Sequence, residues 1–344
     1  MNILVTGVTS FVGRALVKEL IAEGYDVYGV IRPDSKNKRN LPKKLHIVTW
    51  DMSEADTMEK MNLPPMYACV HLAWDGVGKE GRANPDIQRL NKDNTYKLIK
   101  VSKKLGCERF VFAGSQAEYG ITLQKVKSGE CPSDEIDESF ECVPLSEYGK
   151  AKLEVLEKAS ALCKNLDMTY LHFRLFSAYG SGDHETSLVS SCVKAFEKDS
   201  QISLSSCEQM WNFINVRDAA KAIADLASCV VTFTEEDVAE EHIINIAGED
   251  TRPLKEFVEE IHKIIGKGRF DFARPAEAIA EGTPYLNPSI NRLKALTGFK
   301  QTTSFEEGIK EIEKVYSMRS KPSRKAAPKT KKHAGVSSRP SAGK

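Results

Sequence analysis

Residues 2–13 read NILVTGVTSFVG, and this stretch decides the fold. The apolar run NILV is typical of a buried strand, and the segment SFVGRALVKELIAEG at 10–24 predicts an amphipathic helix. Gly7 allows a tight turn between the two, and Gly13 allows the helix to pack closely against that turn. The position between them, where main chain approaches a pyrophosphate, holds Ser10, which is small and whose hydroxyl can meet a phosphate. A chance glycine cluster at a strand–helix turn is the alternative.

The alternation of strand and helix continues along the chain. Further strands are predicted in DVYGVIR, HIVTWD, ACVHLAW, RFVFAGS and MTYLHFRL, and long helices over residues 88–105 and 148–166. This order implies parallel strands joined by right-handed crossovers, so the fold class is α/β, a Rossmann-type doubly wound parallel sheet. Ligands bind beyond the carboxyl ends of the strands in such a sheet.

We predict a division into three parts. Residues 1–180 form the nucleotide-binding core, which residues 211–248 complete with NFINVRDAAKAIADLA and the late strand HIINIAG. Residues 181–210 and 249–317 break the alternation and form a smaller substrate-binding lobe over the cofactor edge. Residues 318–344 form a disordered basic tail.

The tail differs in charge from the rest of the chain. Its last 26 residues hold nine of the 49 Lys and Arg residues and no acid, which leaves the first 318 residues with a balance of −8. Such a segment cannot build a core. A solvating extension is favoured over an anchor for a polyanion such as anionic lipid or nucleic acid, because no aromatic or apolar residue is interleaved for insertion or stacking.

Composition narrows the class of protein. With 41% hydrophobic and 28% charged residues over 344 positions, the chain is typical of a globular protein with a sizeable core. No apolar run approaches the roughly 20 residues of a membrane span, and no cleavable leader is present, so a cytoplasmic location is expected. The eight cysteines form no CxxC pair, which favours reduced thiols over disulfides and predicts no metal site.

The second strand ends VIRPDSK, which bears on cofactor choice. An acid at this strand end binds the ribose hydroxyls of NAD, whereas a basic residue accommodates the extra phosphate of NADP. Ile31 takes the acidic position and Arg32 follows it, with Lys36, Lys38 and Arg39 beyond. NADP(H) is therefore favoured. The alternative is NAD(H), with Arg32 an ordinary surface residue.

A catalytic pair is predicted in SEYGKAK, where Tyr148 and Lys152 lie four residues apart on one helix face. Tyrosine, with a reference pKa of about 10, works as an acid or base near neutrality only when a cation stabilises its phenolate, and the lysine supplies one. Ser115 ends the fifth strand, where its hydroxyl can orient a substrate carbonyl. A helix-capping serine and an exposed Tyr–Lys pair are the alternatives.

The order of the turn, Ser115 and YxxxK resembles the extended short-chain dehydrogenase/reductase family, also known as the NAD-dependent epimerase/dehydratase family. HLAW at 71–74, RLFSAYGSGD at 174–183, EQMWNFINVRDAA at 208–220, NIAG at 245–248 and LTGF at 296–299 extend the likeness over about residues 1–310. GSQAEYG together with HLAWDG is most similar to the branch of 4-keto-6-deoxy-sugar nucleotide reductases, which includes CDP-abequose synthase-like enzymes.

The resemblance implies a role for particular residues. Catalysis is assigned to Ser115, Tyr148, Lys152 and Asn91. Cofactor contacts are assigned to Thr6, Gly7, Ser10, Phe11, Val12, Gly13, Arg32, Asp51, Met52, Leu72, Ala73, Tyr148 and Lys152. Substrate contacts are assigned to Trp74, Gln116, Ser177, Gln209 and Arg274. Asp51 matches an acid near the adenine amino group, with an exposed loop aspartate as the alternative.

The chain also departs from the family pattern. Trp74 replaces a small residue, Ser177 an asparagine, and Trp211 and Asn212 an Arg–Asp pair. In the substrate lobe, where the family commonly has an arginine that grips the nucleotide diphosphate, this chain has Ala280, and only Arg274 lies near it in sequence. The departure at Ala280 weakens the case for a nucleotide-sugar substrate but leaves the fold expectation intact.

The resulting hypothesis is an enzyme, an NADP(H)-dependent oxidoreductase that reduces a keto group of a nucleotide-linked deoxysugar by hydride transfer. A nucleotide-sugar 4-epimerase, which uses the same residues with the cofactor retained, is one alternative. A catalytically silent cofactor-binding scaffold acting through its basic tail is another. The resemblance further implies a homodimer that pairs through the YxxxK helix and its neighbour.

Overall fold

The computed structural model describes residues 1–35, 38, 41–58, 60–228, 242–274, 282–320 and 343. In chain order its elements are β1 (Asn2–Thr6), α1 (Phe11–Ala22), β2 (Asp26–Ile31), β3 (His46–Thr49), α2 (Ala55–Met58), β4 (Ala68–His71), α3 (Lys79–Arg82), α4 (Pro85–Lys104), β5 (Arg109–Ser115), a 3₁₀ turn (Gln116–Glu118), α5 (Leu123–Ser128), α6 (Glu147–Asn165), β6 (Thr169–Leu175), β7 (Ser177–Tyr179), α7 (Leu188–Glu197), β8 (Gln201–Ser203), β9 (Met210–Asn215), α8 (Val216–Ser228), β10 (Ile243–Ile246), β11 (Thr251–Pro253), α9 (Leu254–Ile265), β12 (Arg269–Asp271), α10 (Asn291–Thr297) and α11 (Phe305–Ser320).

The central sheet of the described residues has seven strands in the order β10-β6-β5-β4-β1-β2-β3, and every neighbouring pair is parallel. The prediction of a doubly wound parallel sheet is confirmed. Strands β4 and β10 are buried along their whole length, as expected for a sheet covered on both faces. Strand β2 pairs with one side of β1 and β4 pairs with the other, so the strand order reverses at β1.

Helices cover the sheet in two layers. On one face, α1 packs against α8, and side chains such as Leu16, Leu20 and Ile223 are fully buried. On the other face, α4 packs against α6, with Leu98 and Val155 fully buried. The apolar positions of these helices recur at helical spacing, so each helix presents one stripe to the sheet.

The segment MTYLHFRLFSAYG, expected to supply one strand and a loop, instead supplies two strands. The chain turns at Phe176, and β7 joins β9 and β11 in a separate three-stranded sheet. The buried side chain of Asn212 on β9 connects this sheet to the end of β10. Its amide accepts a hydrogen bond from Gly248 N at 2.7 Å and donates one to Gly248 O at 2.8 Å.

A third apolar cluster lies outside the central sheet. It joins α7, α9 and α11, with Phe196, Phe257 and Ile309 at its centre, and strands β8 and β12 pair beside it. Most of its members fall within 181–210 and 249–317, the ranges assigned to the smaller lobe. Its role in binding substrate stays a prediction.

The C-terminal helix α11 continues to Ser320, past the predicted start of the basic tail at residue 318. Apart from residue 343, the remainder of that tail lies outside the described residues, as do Lys36, Arg39 and Ala280. In the described ranges, no helix combines the length and apolarity needed to cross a membrane. The seven cysteines within those ranges are free thiols, and Cys229 lies outside them.

Candidate active site

A cavity of about 430 Å³ opens at the carboxyl ends of β1 to β4, where the strand order reverses. Such a reversal creates a crevice in doubly wound sheets. Seven of the residues predicted to contact the cofactor line this cavity: Thr6, Gly7, Ser10, Arg32, Met52, Leu72 and Ala73. Trp74, predicted for substrate, and Asn91, predicted for catalysis, line it as well.

The glycine turn is tightly packed at both ends. Gly7 has a φ of +73°, and a Cβ there would lie 2.8 Å from Ala73 N at the end of β4. A Cβ on Gly13 would lie 2.2 Å from the Gly7 carbonyl oxygen. Both positions therefore require glycine.

Ser10 caps helix α1, since its Oγ accepts a hydrogen bond from Gly13 N at 3.0 Å. The hydroxyl proton remains available to a ligand, so capping and phosphate contact are compatible. Phe11, Val12 and Gly13 form the first turn of α1, whose main-chain N–H groups and dipole favour an anion. The turn with Ser10 at its centre thus keeps the geometry of a phosphate cradle.

Arg32 is engaged with an acid that the sequence did not reveal. Its Nη1 donates to both carboxylate oxygens of Asp75 at 3.1 Å, and Asp34 lies 3.9 Å away. Asn91 holds Asp75 in place, because its Nδ2 donates to Asp75 O at 2.9 Å and its Oδ1 accepts from Asp75 N at 3.1 Å. The Arg32 and Asp75 side chains are 58% and 66% exposed, so the pair is open to exchange with a ligand.

Asp51 lies between Trp50 and Met52, both of which line the cavity. Its carboxylate accepts hydrogen bonds from the Ser53 hydroxyl at 2.7 Å and from Ser53 N at 2.9 Å. These bonds lower the pKa of Asp51. The contacts fit the exposed-loop alternative, and an adenine contact stays a prediction.

A buried polar chain supports the floor of the cavity. Thr6 Oγ1 lies 2.7 Å from His71 Nδ1, and His71 Nε2 lies 3.0 Å from Thr95 Oγ1. Thr95 donates its proton to Asn91 O, so it accepts from His71, and Thr6 donates to the other ring nitrogen. Burial lowers the pKa of His71 to about 3. His71 is therefore a neutral structural residue near neutral pH.

Tyr148 and Lys152 project from the first turns of α6, which Ser146 caps by accepting from Gly149 N. Both side chains are buried, with Lys152 only 3% exposed. Lys152 Nζ donates to Ala113 O at 2.7 Å and lies 3.6 Å from the centre of the Trp74 ring. Burial lowers the pKa of Lys152 well below its usual value, while the indole face and the carbonyl favour its charged form.

Trp74 links the cavity to the Tyr148–Lys152 pair. Its ring meets Tyr148 edge-on, with centroids 6.3 Å apart, and its Nε1 donates to Gln88 Oε1 at 2.8 Å. The family's small residue could not cover Lys152 in this way. Trp74 therefore contacts both of the residues predicted to perform the chemistry.

Ser115 ends β5 and begins a capping box. Its Oγ accepts from Ala117 N at 3.2 Å, and its main-chain N donates to Glu118 Oε1 at 2.8 Å. Glu118 is fully buried and also accepts from His172 Nε2 at 3.0 Å and from Arg174 Nε at 2.9 Å. Burial alone would raise the pKa of Glu118, but His172 and Arg174 lower it to about 2. A permanent buried carboxylate therefore fixes the main chain of Ser115.

The remaining predicted substrate residues are spread over several elements. Gln116 lines a small second pocket of about 40 Å³ with Arg82 and Ser146. Ser177 lies on β7 opposite Phe213, and Gln209 is buried, with its carbonyl accepting from Leu254 N. Arg274 is exposed, and its main chain bonds to Leu204 O. Contacts of these residues with a substrate stay predictions.

Sequence reasoning missed three residues of the site: Asp75, Arg82 and Glu118. Asp75 follows HLAW directly, and Glu118 lies within GSQAEYG, so an acid next to a strand end was the available signal for both. Arg82, whose guanidinium carbon lies 4.3 Å from the centre of the Tyr148 ring, has no such signal. It belongs to α3, a helix of four residues that the sequence pattern did not predict.

The parallel sheet, the glycine turn at its switch point and the Tyr–Lys pair beside it define a nucleotide-dependent α/β enzyme. Residues 3–247 match the NAD dependent epimerase/dehydratase family, and the chain belongs to that family. The prediction of an extended short-chain dehydrogenase/reductase enzyme is confirmed.

Individual relatives perform different reactions on nucleotide sugars. The chain is 26% identical over 318 residues to a Methanocaldococcus jannaschii protein provisionally named a UDP-glucose 4-epimerase, covering 90% of this chain and 96% of that protein. It is 24% identical over 333 residues to the dTDP-4-dehydro-6-deoxyglucose reductase of Escherichia coli, again covering 90% and 96%. The UDP-glucuronic acid 4-epimerase of Bacillus cereus, solved with UDP-glucuronic acid and NAD, superposes with a TM-score of 0.75 at 19% identity, covering 93% of this chain and 100% of that chain.

Proposed function

We propose that this protein is an NADP(H)-dependent reductase acting on a keto group of a nucleotide-linked sugar. The observation that carries the proposal is the conjunction of Arg32 on the cavity rim with a buried Tyr148–Lys152 pair beside the same cavity. Arg32 provides a cation for a phosphate on the ribose, and the Tyr–Lys pair provides a proton donor. Relatives with both reductase and epimerase names support the substrate class.

The cavity fits a dinucleotide. Gly7 and Gly13 leave room for main chain to approach a pyrophosphate at the N-terminus of α1. The lining residues Thr6, Ser10, Met52, Leu72 and Ala73 would hold the cofactor beside β1, β3 and β4. When bound, a nicotinamide dinucleotide supplies or accepts hydride.

The chain's own residues would manage the proton. Tyr148 would donate its phenolic proton to the substrate oxygen as negative charge develops there. Lys152, held between Ala113 O and Trp74, would stabilise the phenolate that remains. Ser115, fixed through Glu118, would orient the substrate oxygen.

A 4-epimerase is the second candidate, and one observation favours it. Asp75 neutralises Arg32 at the cavity rim, which reduces the attraction for an extra phosphate and so favours NAD. Epimerases of this kind keep their cofactor, and their net reaction consumes none. The two candidates therefore differ in cofactor selectivity and in whether cofactor stays bound.

The test is a parallel titration with NADPH and NADH, followed by nicotinamide fluorescence, on wild type, Arg32→Ala and Arg89→Ala. Arg89 is an exposed arginine that is also paired with an aspartate and does not line the cavity, so it is the matched control. We expect NADPH to bind more tightly to wild type, and Arg32→Ala to weaken NADPH by roughly tenfold while leaving NADH unchanged. Equal binding of the two cofactors would remove the support for NADP(H).

The reaction is tested separately. Protein as isolated is denatured and its supernatant assayed for dinucleotide, and cofactor-free protein is then mixed with NADPH and nucleoside-diphospho-4-keto-6-deoxysugars. Loss of NADPH absorbance that depends on Tyr148 supports the reductase. Stoichiometric dinucleotide in the isolated protein, with sugar interconversion and no net change in absorbance, supports the epimerase instead.

The homodimer is also a proposal. Helices α4 and α6 pack against each other on one face of the sheet, and Leu90 on α4 is 50% exposed. Single exposed apolar side chains are common on monomers, so the proposal rests on the family resemblance. Light scattering that gives the mass of a single chain would contradict it.

A further inference from the structure

Two cations face the ring of Tyr148. The guanidinium carbon of Arg82 lies 4.3 Å from the ring centre, and Lys152 Nζ lies 5.6 Å from it. The ring of Trp74 meets the same ring at an angle of 89°. Tyr148 is only 9% exposed, so these charges act on it with less screening than they would at an open surface.

The position of Arg82 is held by structure around it. Its main-chain N donates to Gly78 O at 2.9 Å. The buried side chain of Gln88 on α4 donates to the carbonyl of the preceding residue, Gly81, at 2.8 Å. Gln88 also accepts from Trp74 Nε1. One amide thus connects α3, which carries Arg82, to the tryptophan that covers Lys152.

Resting on the proposed function, we propose that Arg82 is a positioning residue that acts through Tyr148 by stabilising its phenolate. A cation over an aromatic face interacts more favourably when that ring carries negative charge. Lys152 performs this task from within the same helix, and Arg82 adds a second charge from a different element. The tyrosine would then release and recover its proton closer to neutral pH than with the lysine alone.

The other ionisable groups on the surrounding elements do not cancel the positive charge that Arg82 and Lys152 place beside Tyr148. Glu118 is neutralised by Arg174, and the buried rings of His71 and His172 have lowered pKa values because of burial. On α6, Glu147 pairs with Lys150 at 2.8 Å. On α3, Lys79 and Glu80 are close to Arg82 in sequence, and at the α4–α6 contact Lys92 is paired with Glu154.

The experiment follows Tyr148 itself. Protein labelled with ¹³Cζ-tyrosine is titrated by NMR, and the Tyr148 resonance, one of 10 tyrosines, is assigned by its absence from Tyr148→Phe. Arg82→Met removes the charge and keeps most of the length, Arg82→Lys keeps the charge, and Arg89→Met removes an exposed arginine on α4. We expect the midpoint of Tyr148 to rise by about one pH unit in Arg82→Met, and to stay near wild type in the other two.

An unchanged midpoint in Arg82→Met, with the other tyrosine resonances in place, would overturn the proposal. So would an equal rise in Arg82→Lys, because shape rather than charge would then be responsible. The titration needs neither substrate nor cofactor, so failure of this proposal can be told apart from failure of the proposed function. If catalysis is found, the pH profile of kcat/KM for the oxidation direction should move upward by the same amount in Arg82→Met.

Discussion

Replacing Glu118 with glutamine removes the negative charge from the buried cluster at the end of β5. Three donors converge on this carboxylate: Ser115 N, His172 Nε2 and Arg174 Nε. Glutamine has one acceptor oxygen, and its amide nitrogen would face another donor. Arg174, only 2% exposed, would be left without its charge partner.

The magnitude follows from two independent routes. The pKa of Glu118 is about 2 against an ordinary value of 4.5, which corresponds to about 3 kcal/mol of added stability for the charged form. Removing one partner of a buried ion pair costs about 3–5 kcal/mol. We therefore expect Glu118→Gln to lower the free energy of unfolding by about 3–5 kcal/mol at pH 7 and to lower the Tm by roughly 5 °C.

The assay is urea denaturation followed by tryptophan fluorescence, with Glu154→Gln as the control. Glu154 pairs with Lys158 at 2.6 Å but is 33% exposed, so its loss should cost less than about 1 kcal/mol. Because folding lowers the pKa of Glu118, its contribution is complete above pH 4.5 and declines as the pH falls toward 2. The difference in the free energy of unfolding between wild type and Glu118→Gln should become smaller over that pH interval. The reasoning would be refuted if Glu118→Gln lowered the free energy of unfolding by less than about 1 kcal/mol at pH 7, or if the difference from wild type did not depend on pH.

Three further changes probe the cavity at the glycine turn and the three-stranded sheet. Gly13→Ala places a Cβ 2.2 Å from a carbonyl oxygen of the turn, so a fluorescence titration should show NADPH and NADH both binding at least about tenfold more weakly. The control Gly78→Ala, where a Cβ would meet open space, should bind both cofactors as wild type does. Asp75→Asn removes the carboxylate facing Arg32, and the Kd for NADPH should fall by roughly two- to fivefold with NADH unchanged; an equal shift for both cofactors would contradict this. Asn212→Ala removes the buried amide that forms hydrogen bonds with the loop between β10 and β11, and urea denaturation should show a free energy of unfolding lower by about 2 kcal/mol. A decrease under about 0.5 kcal/mol would be evidence against that role.

Local sequence determined the elements of the central sheet. Each strand is a short apolar run, and each helix carries an apolar stripe, so period and length distinguish them without tertiary information. The spacing of Gly7 and Gly13 likewise reflects a local requirement, since a Cβ at Gly13 would meet Gly7 itself. Tyr148 and Lys152 share a helix face for the same local reason.

Tertiary structure decided what surrounds those residues. Arg32 and Asp75 are 43 positions apart, and Arg82 and Trp74 meet Tyr148 only because β4 ends and α6 begins at the same edge of the sheet. Contacts between loops that follow different strands have no sequence period, so neither the Arg32–Asp75 ion pair nor the position of Arg82 over Tyr148 follows from a pattern. Nor does the split between β6 and β7, because only Phe176 separates the two strands and packing alone assigns them to different sheets. The sequence by itself determined the doubly wound fold and the residues able to do the chemistry, and only the tertiary structure decided which charges face them.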